Sequence, residues 1–157
     1  MYNLEFRKIY TDRKFCLCGC RNVIQEENWG LRIFLDGKIT SIEEVLEIIE
    51  KFEFEVKDLS AKTIVCKYCG HCCLHGPELS EKELEYLSAN YPEYREDYMQ
   101  IISGKPCQFG GENTGPCKFP ENARPFQCRI LYCEANIVGF ESMYNFLGGF
   151  LGWTSLN

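Results

Sequence analysis

Cys66-Lys67-Tyr68-Cys69-Gly70-His71-Cys72-Cys73 holds four of the eleven cysteines of this 157-residue chain within eight positions. Four more follow at Cys107, Cys117, Cys128 and Cys133. Packing alone does not call for this density. Thiolates gathered at one point repel one another, and zinc or an iron–sulfur cluster offsets that repulsion. The Cys-x2-Cys-x2-Cys spacing lets a single turn at Gly70 present three sulfurs to one centre, because glycine tolerates positive φ. Cys72 and Cys73 are adjacent, so their side chains leave the backbone in different directions and are expected to serve different sites. The eight cysteines then divide into two four-sulfur sites.

Downstream of this run, Ser80 with Glu83 three residues later forms a capping-box pattern, which predicts a helix from Glu81 to about Ala89 that buries Leu84 and Leu87. Pro92 suits the start of a second helix carrying Tyr94, Tyr98, Ile101 and Ile102 inward, with Gly104 ending it. From Lys105 to Cys133 the chain is rich in glycine and proline and reads as loop. A segment of that kind buries little apolar area, and bound metal can staple it, since metal-binding free energy becomes folding free energy. Residues 137–153 read as a helix with two apolar stripes, one of Phe140, Tyr144, Leu147 and Leu151 and one of Met143, Phe146, Phe150 and Trp153. A helix apolar on most of its circumference is either buried or meets a partner. The second stripe is expected to form an exposed patch.

Upstream, Leu4, Phe6 and Ile9 suggest a first strand, and Trp29 to Leu35 a second that ends in an Asp36-Gly37 turn. Ser41 with Glu44 predicts a capped helix whose apolar face is Ile42, Val45, Leu46, Ile48 and Ile49. Glu43, Glu44, Glu47 and Glu50 are its solvated side. Phe52, Phe54 and Val56 alternate with charged residues and predict a half-buried strand. Cys16-Leu17-Cys18-Gly19-Cys20, if extended, sets three sulfurs on one face. Cys16, Cys18 and Cys20 are therefore a candidate third centre, completed by a partner or left open on one side. The fold class expected is α+β, a small metal-stapled domain with a loop-rich cysteine cluster. Its parts are an N-terminal α+β lobe over 1–63, a cysteine-cluster domain over 64–135 and an apolar C-terminal helix over 136–157.

The net charge is −6. Two four-thiolate sites, each adding about −2, bring it to roughly −10. That argues against general nucleic-acid binding, which depends on neutralising phosphates. The first residues lack the basic-then-apolar order of a secretory signal, and no apolar run is long enough to span a bilayer. An odd cysteine count disfavours a complete disulfide framework. The expected setting is a reducing cytoplasm.

The run Cys66-x2-Cys69-Gly70-x-Cys72-Cys73, followed by Cys107, Cys117, Arg124-Pro125 and Cys128-Arg129, resembles the CxxCxxCC cysteine-cluster family, a zinc- or iron-chelating domain. The resemblance covers roughly residues 64–135, with Cys133 as the eighth cysteine. It implies metal binding and no defined reaction. Flagellin lysine methylases carry a related cluster but are much longer. No strand–glycine loop–helix unit for S-adenosylmethionine occurs here, so methylation is not carried over.

Spacing bears on which metal is bound. A ferredoxin run needs a fourth cysteine three residues on, then proline, and this chain has only the first three. A zinc ribbon needs a second Cys-x2-Cys knuckle, but Cys128-x4-Cys133 is wider. The departures from zinc spacing favour 4Fe–4S clusters, with Zn²⁺ as the alternative. His71 and His75 are read as lying outside the ligand set. Arg124 and Arg129 either donate hydrogen bonds to thiolates or make surface ion pairs. No phosphate loop, dinucleotide fingerprint or serine elbow is present. The function expected is that of a metal-binding, electron-transfer or cluster-handling accessory to a partner protein, with no independent catalysis. A zinc-stapled interaction module and a cysteine-dependent enzyme are the alternatives.

Overall fold

Strand β1 (Tyr2–Tyr10) pairs antiparallel with a later strand, β3 (Trp29–Gly37), with Leu4 opposite Leu35 and Phe6 opposite Ile33. Side chains alternate across a strand, so this register gathers Leu4, Phe6, Ile33 and Leu35 on one face. Asn3, Glu5, Arg7, Arg32 and Phe34 lie on the other. Here the computed structural model agrees with the strand patterns of the sequence. It describes residues 1–10, 24–25, 29–60, 64–65, 77–103, 105, 117–130 and 137–155. Gly37 closes β3 at φ +101, and the adjoining Lys38 N–H donates to the Met1 carbonyl at 2.9 Å. A Cβ on Gly37 would stand 2.6 Å from that same oxygen, so only glycine fits the turn.

Helix α1 (Ile42–Ser60) follows. The Ser41 hydroxyl accepts the Glu44 N–H at 3.3 Å, as the capping pattern predicts. The return bond goes one residue further back than in a standard capping box: the Glu44 carboxylate accepts the Thr40 N–H (2.9 Å) and hydroxyl (2.6 Å). The expected strand over Phe52–Val56 is instead the continuation of this helix. Val45, Ile48, Ile49, Phe52 and Val56 recur at helical spacing and are all fully buried. Phe54, on the opposite side, is 70% exposed. A strand would have turned Phe54 inward together with its two neighbours. Burying the whole helical stripe removes more apolar surface from water, and that decides the conformation.

Two short strands, β2 (Ile24–Gln25) and β4 (Ile64–Val65), pair antiparallel. Helix α2 (Glu81–Asn90) carries the full Ser80/Glu83 capping box and buries Leu87, while Leu84 is only half-buried. A 3₁₀ turn (Pro92–Tyr94) leads into α3 (Arg95–Met99), which buries Tyr98. Ile102, expected inward, is 65% exposed because the helix stops before reaching it. A second 3₁₀ turn (Glu121–Ala123) precedes α4 (Phe126–Ile130). Strand β5 (Ile137–Val138) adds to the free side of β3 in parallel, giving the sheet order β1-β3-β5, and α5 (Phe140–Leu151) follows. The architecture is α+β.

One hydrophobic core joins these elements. Leu31 and Ile33 from the sheet, Ile48 and Phe52 from α1, Leu87 from α2, Phe126 from α4 and Met143 and Leu147 from α5 are all buried in it. The C-terminal helix is thus part of the core. Met143 and Trp153, expected on an exposed patch, are buried, and Phe146 and Phe150 are half-buried. The reversal comes from Gly152. At φ +92 it ends α5, and both its own N–H and that of Trp153 donate to the Gly148 carbonyl (2.6 and 3.0 Å). The chain folds back, and Trp153 lies against Gly148, where any Cβ would meet the Trp153 Cβ at 3.1 Å.

Candidate metal centre

Cys117 and Cys128 are the two expected ligands that fall within the described residues, and both are half-buried. Cys66, Cys69, Cys72, Cys73, Cys107 and Cys133 lie outside them, as do Cys16, Cys18, Cys20, His71 and His75. Among the described residues no three His, Cys, Asp or Glu side chains converge as a ligand set. What the structure shows is the scaffold on which two of the thiols are mounted.

Cys117 opens a segment clamped by α3. Phe119 stacks on Tyr98 with ring centres 5.1 Å apart, and Tyr94 meets Phe119 edge-on at 5.4 Å. The Tyr98 hydroxyl donates to the Ala123 carbonyl at 2.5 Å, and Lys118 pairs with Asp97 at 2.9 Å. Burial holds the Tyr98 hydroxyl well above the usual tyrosine pKa, so it remains a proton donor to that carbonyl. The segment therefore has a defined course through contacts with α3 despite its loop-like composition.

Arg124-Pro125 forms the hinge into α4. Arg124 is extended (φ −71, ψ 149), the conformation that a following proline favours, and its Nε donates to the Phe119 carbonyl at 3.4 Å. The Pro125 carbonyl accepts the Cys128 and Arg129 N–H groups at 3.0 and 3.2 Å and starts the helix. Three side-chain tethers then hold its five residues. Glu83 of α2 accepts the Phe126 N–H at 3.2 Å. Gln127 accepts the Glu78 N–H at 2.9 Å and donates to the Tyr144 hydroxyl at 2.6 Å. Arg129 places both Nε and Nη2 on the Glu53 carboxylate of α1, at 3.3 and 2.5 Å. Phe126, Gln127, Arg129 and Ile130 are buried, and Cys128 is the one residue of α4 that is not. The tethers fix the helix through the residues that flank the half-buried Cys128.

Arg129 is thus neither a surface ion pair nor, through these two nitrogens, a donor to thiolate. It is half of a buried pair whose side chains are 3% and 9% exposed. Glu83 is a second buried carboxyl. It caps α2 at Ser80, accepts from Phe126, and takes the Trp153 indole N–H at 3.4 Å. Burial pushes its pKa up to about 8, although those three donors pull it back down. The capping pattern reveals the first of its roles. Nothing in the sequence marks the other two, nor the partners of Glu53 and Gln127, because all lie beyond local range: Tyr144 is 17 positions from Gln127, and the rest are more than forty positions away.

The donor set fits a thiophilic metal. A half-buried thiol on a tethered helix and another on a clamped loop are soft donors of the kind that suits Zn²⁺ or an iron–sulfur cluster. The groove between β1 and α1, about 330 Å³ in volume, is lined among the described residues by Leu4, Phe6, Phe54, Lys51 and glutamates, and by no cysteine. Among the described residues no helix is long and apolar enough to cross a membrane.

The model of the CxxCxxCC family, described as a putative zinc- or iron-chelating domain, matches residues 65–143. No curated protein and no solved structure matches the chain. The matched span runs from the cysteine cluster through α2, α3 and α4 to Met143, and α1 with Glu53 lies before it. With half its length under that model, and with Arg124-Pro125 and Cys128-Arg129 built into a scaffold for half-buried thiols, the chain belongs to the CxxCxxCC family of zinc- or iron-chelating cysteine-cluster domains.

Proposed function

We propose that Cys66, Cys69, Cys72, Cys73, Cys107, Cys117, Cys128 and Cys133 bind metal as two four-thiolate centres within the unit 64–135. We further propose that these are 4Fe–4S clusters and that the protein serves a partner as an electron-transfer or cluster-handling accessory. The observation that carries the metal reading is the family match over residues 65–143, which contains all eight cysteines. Iron–sulfur is supported by the Cys-x2-Cys-x2-Cys run and the absence of a second zinc knuckle. The accessory role is supported by the lack of any substrate-site motif in the sequence. Cys16, Cys18 and Cys20 form a third centre in this reading, open on one side or completed by the partner. On the C-terminal helix, the apolar surface left for a partner or a second copy is the half-buried pair Phe146 and Phe150. The structure has Lys82 standing over the Phe150 ring at 3.9 Å.

Metal and acid-labile sulfide analysis of anaerobically purified protein, with a visible spectrum, tests the reading. About four iron and four sulfide per cluster, with a brown absorbance, is the expected result. About two zinc per chain, no sulfide and no colour would establish the alternative, a zinc-stapled interaction module, which the family description supports equally. Serine at Cys16, Cys18 and Cys20 together should lower the metal content, and unchanged stoichiometry would remove the third centre.

A further inference from the structure

We infer that Glu53 is a positioning residue for the metal centre: through Arg129 it fixes the helix that carries Cys128, and it does so from outside the segment the family model covers. The inference rests on the reading of Cys128 as a metal ligand.

Helix α4 has five residues, too few to hold its shape by backbone bonds alone. Its orientation comes from its tethers, and the residues on both sides of Cys128 carry two of them. Gln127 ties it to Tyr144 and to the Glu78 backbone. Arg129 ties it to Glu53, 76 residues earlier in the chain. The Arg129–Glu53 contact is the more restrictive of the two. A planar guanidinium meeting both oxygens of one carboxylate is a charge-assisted fork that fixes rotation as well as distance, whereas the two Gln127 bonds are neutral and go singly to separate partners. With side-chain exposures of 3% and 9%, neither group has water as a ready substitute, so the pair resists exchange with solvent.

Glu53 sits on a flank of α1 beside Phe52 and Val56, which are fully buried, so its carboxylate is anchored to the core. Positional precision therefore passes from the core through α1 to Arg129 and on to the adjoining Cys128. A metal centre needs that precision, because ligand atoms displaced by a fraction of an ångström lose affinity. Residues that orient ligands in this way typically cost 10–100-fold in metal affinity when changed.

The test uses the full-length protein, purified anaerobically with its metal, as wild type, Glu53→Gln, Glu53→Asp, Cys128→Ser and the double variant Glu53→Met/Arg129→Met. The double variant replaces the ion pair with apolar side chains of similar length, which keeps the helices packed where a single change could unfold them. Metal loss to excess chelator is followed at a temperature where circular dichroism shows each variant fully folded, together with the absorbance of the bound centre. The expected result is release roughly 10–100-fold faster in Glu53→Gln and in the double variant, with a shifted absorbance, and an intermediate rate in Glu53→Asp. A folded double variant with wild-type release and a wild-type spectrum would show that the pair only supports the fold, and would overturn the inference. Full metal stoichiometry in Cys128→Ser is a different failure: it removes Cys128 from the ligand set, and the inference falls with that assignment.

Discussion

At the residue scale, the two buried carboxyls make opposite demands. Glu83 has a pKa raised to about 8, so between about pH 4.5 and pH 8 the folded chain keeps a proton on it that the unfolded chain has lost. Its contribution to stability is complete below the unfolded value and is lost as the pH rises through the folded one, with a slope approaching ~1.4 kcal/mol per pH unit. Glu83→Gln removes the titration but turns an amide N–H toward a backbone or indole donor, which costs about 1–3 kcal/mol. Urea unfolding of both proteins should therefore show wild type ahead at pH 5 and the gap closing or reversing by pH 8; parallel pH profiles would contradict the assignment. Glu53, by contrast, is held by an arginine. Arg129→Met strands its buried charge and should cost about 3–5 kcal/mol, most of which the double Glu53→Met/Arg129→Met change recovers. A double variant no more stable than Arg129→Met alone would show that the loss was one of packing and not of charge.

Elements are decided by what they bury. Phe52 and Phe54 lie two residues apart in one helix, yet they differ from fully buried to 70% exposed. Phe52→Ala should cost about 3–5 kcal/mol, while Phe54→Ala should stay within about 0.5 kcal/mol. Equal costs would point to the strand that the local alternation suggests. Ser80→Ala should lose about 0.5–2 kcal/mol through the α2 cap. The fold-back at Gly152 makes α5 a core element, so removing residues 140–155 takes Met143, Leu147, Leu151 and Trp153 from the interior. The truncated chain should show no cooperative thermal transition by circular dichroism, and a sharp melt near the wild-type temperature would instead mark α5 as an appendage.

For the whole molecule, one core draws on the sheet, α1 and α5 and also on the cysteine-bearing segment through Leu87, Tyr98, Phe119, Phe126 and Ile130, while the glycine- and proline-rich stretches of that segment offer little to bury. Stripping the metal should leave the helical signal of α1 and α5 while the segment 64–135 becomes susceptible to protease, because metal-binding free energy is folding free energy there. Limited proteolysis with mass mapping of the loaded and stripped protein checks this. Cleavage sites that do not change on stripping would mean that the segment is held by the core alone. The Arg129–Glu53 pair makes the intermediate outcome specific. Protection should persist longest at α4, which the core holds through three tethers.

The sequence by itself determined what depends on near neighbours. Alternation over Tyr2–Tyr10 and Trp29–Gly37, the caps at Ser41 and Ser80, the turn at Gly37 and the cysteine spacing behind family membership all act within a few residues. Each follows from periodicity, a short hydrogen bond or steric freedom, and these leave a local mark in the chain. Only the tertiary structure decided whether Phe52–Val56 is helix or strand, since both patterns fit the residues and the core buries the helical one. It also decided that Met143 and Trp153 face inward and that Glu53, Glu78 and Glu83 converge on the helix of Cys128. Those pairings span 43 to 76 residues, and a buried polar group is indistinguishable in sequence from a solvated one until the chain brings its partner to it.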